Sequence, residues 1–462
     1  MRAAPGHVVV RTRPGWEGED IAAHRDVRHG LAAAACSIDG GSIDDAIRRR
    51  AGAMSVARAF YSRRGLDLGG GRGDRGYDDL EHELGLSRTF RIAFDPRAPI
   101  GPVVEDLAAL DAVESVTPAY ICASPVAPAV GAAQPRKGDR ARALIGAARA
   151  AALEPGDLSL IVGLVDSGVD FDHPELVGRL RPGVSSVALK PGWSEGDLRV
   201  ISGARPSLQD IADDEGHGTG CAALLAAIGV AIEPGVAGIA RLLPIRALCG
   251  AIVTGRRAAT AIGLLPDIDS GLKTCVDLGA RVINMSFGTP ESDLDGTSPH
   301  IPHVEVVRYA LAHDCILVAA SGNTGRAERF FPAALPGVIA VGAVDDDRRP
   351  ASFTTRGDHV ALSAPGVRIV TAGIDGYVEH SGTSFAAPFV TGACALLVAR
   401  AARWSRPLGP AAVRRILVES AQRFAGGVDT TGCGAGILDL PAALAAVDAL
   451  CREDHDTDAA AA

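Results

Sequence analysis

Between residues 141 and 447 short, nearly continuous apolar runs alternate with longer helical stretches, and this alternation limits the possible folds more than any other feature of the chain. The runs are Leu160–Val165, Leu242–Leu248, Val282–Phe287, Ile316–Ala320 and Val338–Val344. Each is short and nearly continuous, as expected of parallel strands buried on both sides. Helical patterns fall at His217–Ala227, Ala258–Leu278, His303–His313, Ser384–Ala402 and Pro410–Ser420. The pattern predicts an α/β fold, a parallel sheet with helices on both faces, and places functional residues at the carboxyl ends of the strands.

Residues 1–125 read as a smaller α+β domain. Strand patterns cover His7–Arg13, Ser87–Phe94 and Ser115–Ala123, and helical ones Ser42–Arg50 and Pro102–Leu110. The Gly-rich stretch Leu66–Gly76 is expected to be a loop; it lacks the Gly-Lys-Ser/Thr ending of a phosphate loop. Residues 126–140, rich in Ala, Pro and Gly, read as a linker, and 448–462 as a disordered polar tail.

Composition excludes other classes. The 462 residues carry 46 basic and 55 acidic side chains, a net charge of −9, which is the wrong sign for a general nucleic-acid binder. No uninterrupted apolar stretch reaches the ~18–20 residues of a membrane span. The nine cysteines are scattered, without zinc-ligand spacing, and the start lacks a signal-peptide pattern, so a cytoplasmic protein with reduced thiols is expected, or a secreted one if the start codon is misassigned.

Three segments carry chemistry. The run Leu160–Val165 ends in Asp166, followed by a Ser-Gly turn; alone, such an Asp could merely cap the turn. His217 opens an Ala-rich helix within Gly216-His217-Gly218-Thr219, where glycines permit close approach. Ser384 follows Gly382-Thr383 at the start of a long apolar helix, where free N–H groups favour negative charge, although an N-cap serine suits the same place.

Together these segments resemble the subtilisin-like (subtilase) serine peptidases, whose chain order of triad residues is Asp, His, Ser, and the resemblance covers about 300 residues, from near Ile145 to Val447. The resemblance implies a serine endopeptidase with Ser384 as nucleophile, His217 as base and then acid, and Asp166 orienting the imidazole. It also gives Asn323, in Ala320-Ser321-Gly322-Asn323, the role of oxyanion donor. Ser286 and Gly288 fall on the edge against which substrate backbone pairs, and Ala320, Ser321, Gly322 and Phe330 fall around the pocket for the residue before the cut bond. No cofactor or catalytic metal is implied; the partners are a peptide or protein substrate and, in cis, the N-terminal domain, which resembles an inhibitory propeptide. Self-cleavage between about Ala123 and Arg140 would remove it; a retained regulatory domain is the other reading.

The chain departs from the family in several places. Gly220 stands where a second His is usual, and Cys221, one turn after His217, is either an inert buried thiol or a reactive one. Phe330 occupies a position that is often small: an inward ring would restrict the pocket to small residues, an outward ring would not. Glu175 falls where relatives have a calcium ligand, but six or more oxygens cannot be assembled around it from the sequence. Two other functions are open. An α/β-hydrolase esterase needs a His after its serine, and after Ser384 there is only His455. An inactive peptide-binding relative predicts loss of a catalytic position, and none is lost.

Overall fold

The computed structural model describes residues 2–16, 21–63, 76–124, 131–255, 259–294 and 301–461. The Gly-rich stretch 66–75 and the first third of the linker, 126–130, lie outside these residues.

The apolar runs form a seven-stranded sheet in the order Val360–Pro365, Ile339–Val344, Ile316–Ala320, Val282–Met285, Ile161–Asp166, Arg241–Arg246, Val184–Ser185. Every adjacent pair is parallel. Helices His217–Ala226 and Thr383–Ala402 cover one face, and Leu265–Asp277 and Val304–Ala312 the other, each closing its own apolar core. Thr383–Ala402 is long and apolar enough to cross a membrane, yet 83% of its most apolar window is buried in this core. From Ile161–Asp166 the chain moves outward on one side to Arg241–Arg246, then returns to the other side at Val282–Met285. Such a reversal opens a crevice at the strand ends, and Asp166 stands at its edge.

The N-terminal region is an antiparallel sheet, ordered Met54–Arg58, Thr89–Phe94, Ala3–Thr12, Val113–Ala123, with helices Ser42–Ala51 and Ile100–Ala108 on one face. Residues of Ala3–Thr12 alternate between buried and half-buried. Val8 and Val10 enter the core with Ile43, Ile47 and Phe90, whereas Arg11 reaches Glu305 of the other domain at 2.6 Å. The last strand runs on into the larger domain: Ile121, Cys122 and Ala123 pair antiparallel with Leu264, Gly263 and Ile262, joining both regions in one eight-stranded sheet. Buried charges cross the same seam. Lys273 Nζ lies 2.6 Å from Glu81 and 2.7 Å from Asp277, and Arg91 lies 2.5 Å from Asp267.

Two sequence expectations need correction. The helix expected over Ala258–Leu278 begins only at Leu265, because Thr260–Leu264 is a strand. Its Gly263 lies against Ala247 O, where any side chain would clash, and its N–H and C=O groups pair with Cys122 instead of completing a helical turn. Residues 448–461 are not a disordered tail but continue the helix Leu440–Ala461, since beyond Pro441 the run of Ala, Leu, Asp and Glu contains no Gly or Pro to end it. The linker too is partly structured: Gly131–Ala132 pairs with Val378 and Glu379, and Asp139 caps a short helix.

Candidate active site

Asp166 ends its strand with the side chain aimed at the helix His217–Ala226, and its Oδ1 lies 2.7 Å from His217 Nδ1. Both residues are 1% exposed. The approach depends on small residues: Gly216 caps the helix at φ +98°, and a Cβ on Gly218 would strike Gly168 O. Asp213 braces the turn by accepting from the Ser167 hydroxyl (2.9 Å), Gly216 N (3.0 Å) and the Thr219 hydroxyl (2.7 Å). The Ser167 hydroxyl in turn accepts from Gly218 N at 2.9 Å. Burial opposes charge on His217, but the charge and hydrogen bond of Asp166, with Glu215 and Asp213, outweigh it and raise the imidazole to about 9. Glu215, whose carboxylate accepts from His217 N, is itself pushed up to about 7, chiefly by burial.

Ser384 occupies the first turn of Thr383–Ala402, where its N–H has no helical acceptor. Its hydroxyl faces the Ser286 carbonyl at 3.4 Å, and Ser286 Oγ donates back to Ser384 O at 2.8 Å. Asn323 Oδ1 accepts from Thr383 N (2.9 Å) and the Thr383 hydroxyl (2.8 Å). Phe385, next in the helix, packs edge-on against His217 and stacks on His380.

The residue bonded to His217 Nε2 is Ser124, at 2.8 Å. It comes from the end of the N-terminal domain's last strand, and its hydroxyl also lies 3.4 Å from Ser286 O, the carbonyl that faces Ser384. Its N–H donates to Ala261 O at 2.8 Å, and Gly288 N reaches Ala123 O at 3.4 Å. An extended segment of the chain therefore lies between two edges and ends at the imidazole. No sequence signal marks Ser124: it is an ordinary serine before Pro125, and only the register of a strand joining two domains places it here.

Gly288, Asn323 and Phe330 line a cleft of about 600 Å³ together with Ile121, Ala123 and Ser124. The Phe330 ring points inward and is 2% exposed. It packs against Gly288, and a Cβ on Gly322 would lie 2.7 Å from it. Ala320, Ser321 and Gly322 are not among the walls of this cleft; Ser321 gives its hydroxyl to Thr355 O at 3.0 Å. Gly220, which stands where a second His is usual, faces the Phe385 ring, which a Cβ would approach to 3.1 Å. Cys221 is fully buried, donates to Ser384 O at 3.4 Å, and is held well above the usual thiol range chiefly by burial, as an inert thiol would be.

The residues do not fit a calcium ion at Glu175. Its two oxygens accept four backbone N–H groups, from Gly229 (3.0 Å), Val230 (2.9 Å), Ala231 (2.7 Å) and Ile232 (3.0 Å). These donors occupy the carboxylate as a cation would. Burial alone would raise the group, but the four bonds hold it below the usual carboxylate range.

The profile of the Subtilase family matches residues 158–436. The "Thermophilic serine proteinase" of Bacillus sp. (strain AK1) is 36% identical over 245 residues, 52% of this chain and 52% of that protein. "Alkaline elastase YaB" of Bacillus sp. (strain YaB) is 33% identical over 265 residues, 56% of this chain and 64% of the relative. The chain thus spans about half to two thirds of the length of these relatives. Among solved structures, the "Prenylagaramide maturation protease PagA" matches with a TM-score of 0.53 at 25% identity, covering 65% of this chain and 98% of that one.

Proposed function

Because the chain belongs to the subtilase family, we propose that it is a serine endopeptidase whose N-terminal domain inhibits it in cis. Ser384 Oγ attacks the scissile carbonyl and gives its proton to His217 Nε2. The tetrahedral oxyanion is received by the Ser384 N–H and Asn323 Nδ2. Collapse breaks the C–N bond as His217 returns the proton to the leaving amine. Water, deprotonated by His217, then releases the acyl group from Ser384, while Asp166 holds the tautomer and stabilises the imidazolium throughout. The observation that carries this reading is the buried 2.7 Å Asp166–His217 pair, whose other ring nitrogen meets Ser124 at the end of an extended segment of chain.

The inhibitory reading follows from the same contacts. Substrate backbone would take the hydrogen bonds that Ala123 and Ser124 now make with Gly288 and Ala261. Nε2 cannot accept from Ser384 while Ser124 holds it. The domain must therefore withdraw, by release or by cleavage between about Ala123 and Arg140, before turnover. The inward Phe330 ring supports a preference for small residues before the cut bond.

Hydrolysis of an unfolded protein such as reduced, alkylated casein tests the proposal. Cleavage by the wild type, lost in Ser384→Ala, is expected. Casein bound equally by both proteins and cleaved by neither would leave a peptide-binding relative.

A further inference from the structure

Where the N-terminal sheet meets the peptidase domain, a cavity of about 400 Å³ opens between the strands carrying Val8, Ala57 and Ile92 and the segment 188–193. Its titratable lining is His7, His24, Arg28, Arg91 and Lys190, and no carboxylate is among the described residues that wall it. Arg28 donates to the Val187 carbonyl and, at 3.1 Å, to the Ser185 carbonyl, which pins it across the seam. Arg91, 9% exposed, lies 2.5 Å from Asp267 Oδ1 and 3.2 Å from His24 Nδ1. Burial, with the charges of Arg91 and Arg28, holds His24 well below its ordinary value. The ring is therefore neutral, and because Nδ1 accepts from Arg91 its proton sits on Nε2. Of the three permanent cations only Arg91 meets a carboxylate; Arg28 and Lys190 form no ion pair among the described residues. A smaller recess shares His24, Arg28 and Arg91 as walls and reaches Arg25 and Ser185. Ser185 is 1% exposed, yet its hydroxyl has no hydrogen-bond partner among the described residues, and neither has Arg25 Nη1. Buried donors left unpaired are costly, and here they stand beside cations that no side chain answers.

We propose that this cavity binds a small organic phosphate and that its occupation holds the N-terminal domain on the cleft. The phosphate head sits among Arg28, Arg91, Lys190 and the His24 Nε2–H, and the body lies against Trp193. Guanidinium forks match phosphate oxygens, and a dianion answers both unpaired cations where a monoanion answers one. The remaining walls include Val27, Leu189 and Leu264, apolar as the body of such a ligand requires. Lys190 is exposed, so the cavity is reached from solvent. The regulatory half of the proposal rests on the in-cis inhibition proposed above. His24, Arg28 and Arg91 belong to the N-terminal domain, and Lys190 and Trp193 to the peptidase domain, so the complete site exists only while the two are docked. A ligand that binds only the docked form favours it over the open form by a factor of 1 + [L]/Kd, roughly tenfold at ten times Kd.

Phenyl phosphate is the probe, titrated calorimetrically into the full chain while hydrolysis of a short chromogenic peptide is followed in parallel. Expected are one-to-one binding and a fall in kcat/KM of roughly tenfold at ten times Kd. Lys190→Gln should weaken phenyl phosphate and inorganic phosphate alike, by about tenfold or ~1.4 kcal/mol; Trp193→Ala should weaken phenyl phosphate alone. Melting curves confirm that both variants are folded. No saturable binding, equal binding to Lys190→Gln, or benzoate binding as tightly as phenyl phosphate would overturn the proposal. Ser124→Pro, which deletes the N–H given to Ala261, separates the two layers. If that variant is more active than the wild type, yet bound phenyl phosphate does not slow the wild type, inhibition stands and regulation through the cavity is wrong. If Ser124→Pro is no more active than the wild type, the inhibitory reading fails and regulation with it, and calorimetry alone decides the phosphate site.

Discussion

Replacing Phe330 should change which peptide bonds the enzyme cuts. The ring is 2% exposed and fills the space between Gly288 and Gly322, so a substrate side chain larger than a methyl group cannot enter without displacing it. A Leu or Phe before the cut bond would stay in water and forfeit the ~1.5–3 kcal/mol that burying such a side chain provides. At 1.36 kcal/mol per factor of ten, that is a handicap of roughly 10–150-fold in kcat/KM relative to the same side chain in an open pocket. Phe330→Gly should therefore raise kcat/KM for tetrapeptide anilides ending in Phe or Leu by about that factor, with little gain for Ala. Deleting a buried ring can itself cost ~3–5 kcal/mol of stability, so melting curves accompany the assay and Phe330→Val serves as a milder variant. A wild type that cleaves after Phe as readily as after Ala, or a stable Phe330→Gly with an unchanged ratio, would show that the ring does not limit the pocket.

Three further outcomes are expected. The docked fold raises His217 from its unfolded value near 6.5 to about 9, so it favours the protonated ring; that stabilisation is fully present below about pH 6.5 and is lost as pH rises through about 9. Melting of Ser384→Ala between pH 6 and 10 should show this decline, and Asp166→Asn should flatten it. Chelators should leave the Glu175 loop intact, whereas Glu175→Gln, with one accepting oxygen for four N–H donors, should cost about 2 kcal/mol in urea unfolding. Lys273→Met leaves Glu81 and Asp277 uncompensated in the seam; a loss of ~3–5 kcal/mol is expected, seen as a lower midpoint for the N-terminal domain and higher basal peptidase activity.

The local setting of each proposed triad residue was legible because each sits in a motif with a mechanical reason: a strand ending in Asp166, glycines around His217, a helix start at Ser384. The parallel sheet was legible for a similar reason, since strands buried on both faces read as short, nearly continuous apolar runs with few polar positions. Contacts set by register between distant segments were not. Ser124 and His217 are 93 residues apart and meet because Val113–Ala123 happens to pair with Thr260–Leu264. The latter strand was hidden inside what read as one long helical stretch, and its identity depends on a partner in another domain. The direction of the Phe330 ring likewise depended on Gly288 and Gly322 leaving space for it, which no local pattern reveals.

The proposed mechanism makes Ser384 the acylated nucleophile of an Asp166–His217–Ser384 triad. Treating the Ser124→Pro chain, with its cleft opened, with a fluorophosphonate and mapping the adduct by peptide mass spectrometry tests it directly. A single adduct on Ser384 is expected, formed far more slowly in His217→Ala. An adduct on another residue, or none on the folded protein with its cleft open, would contradict it.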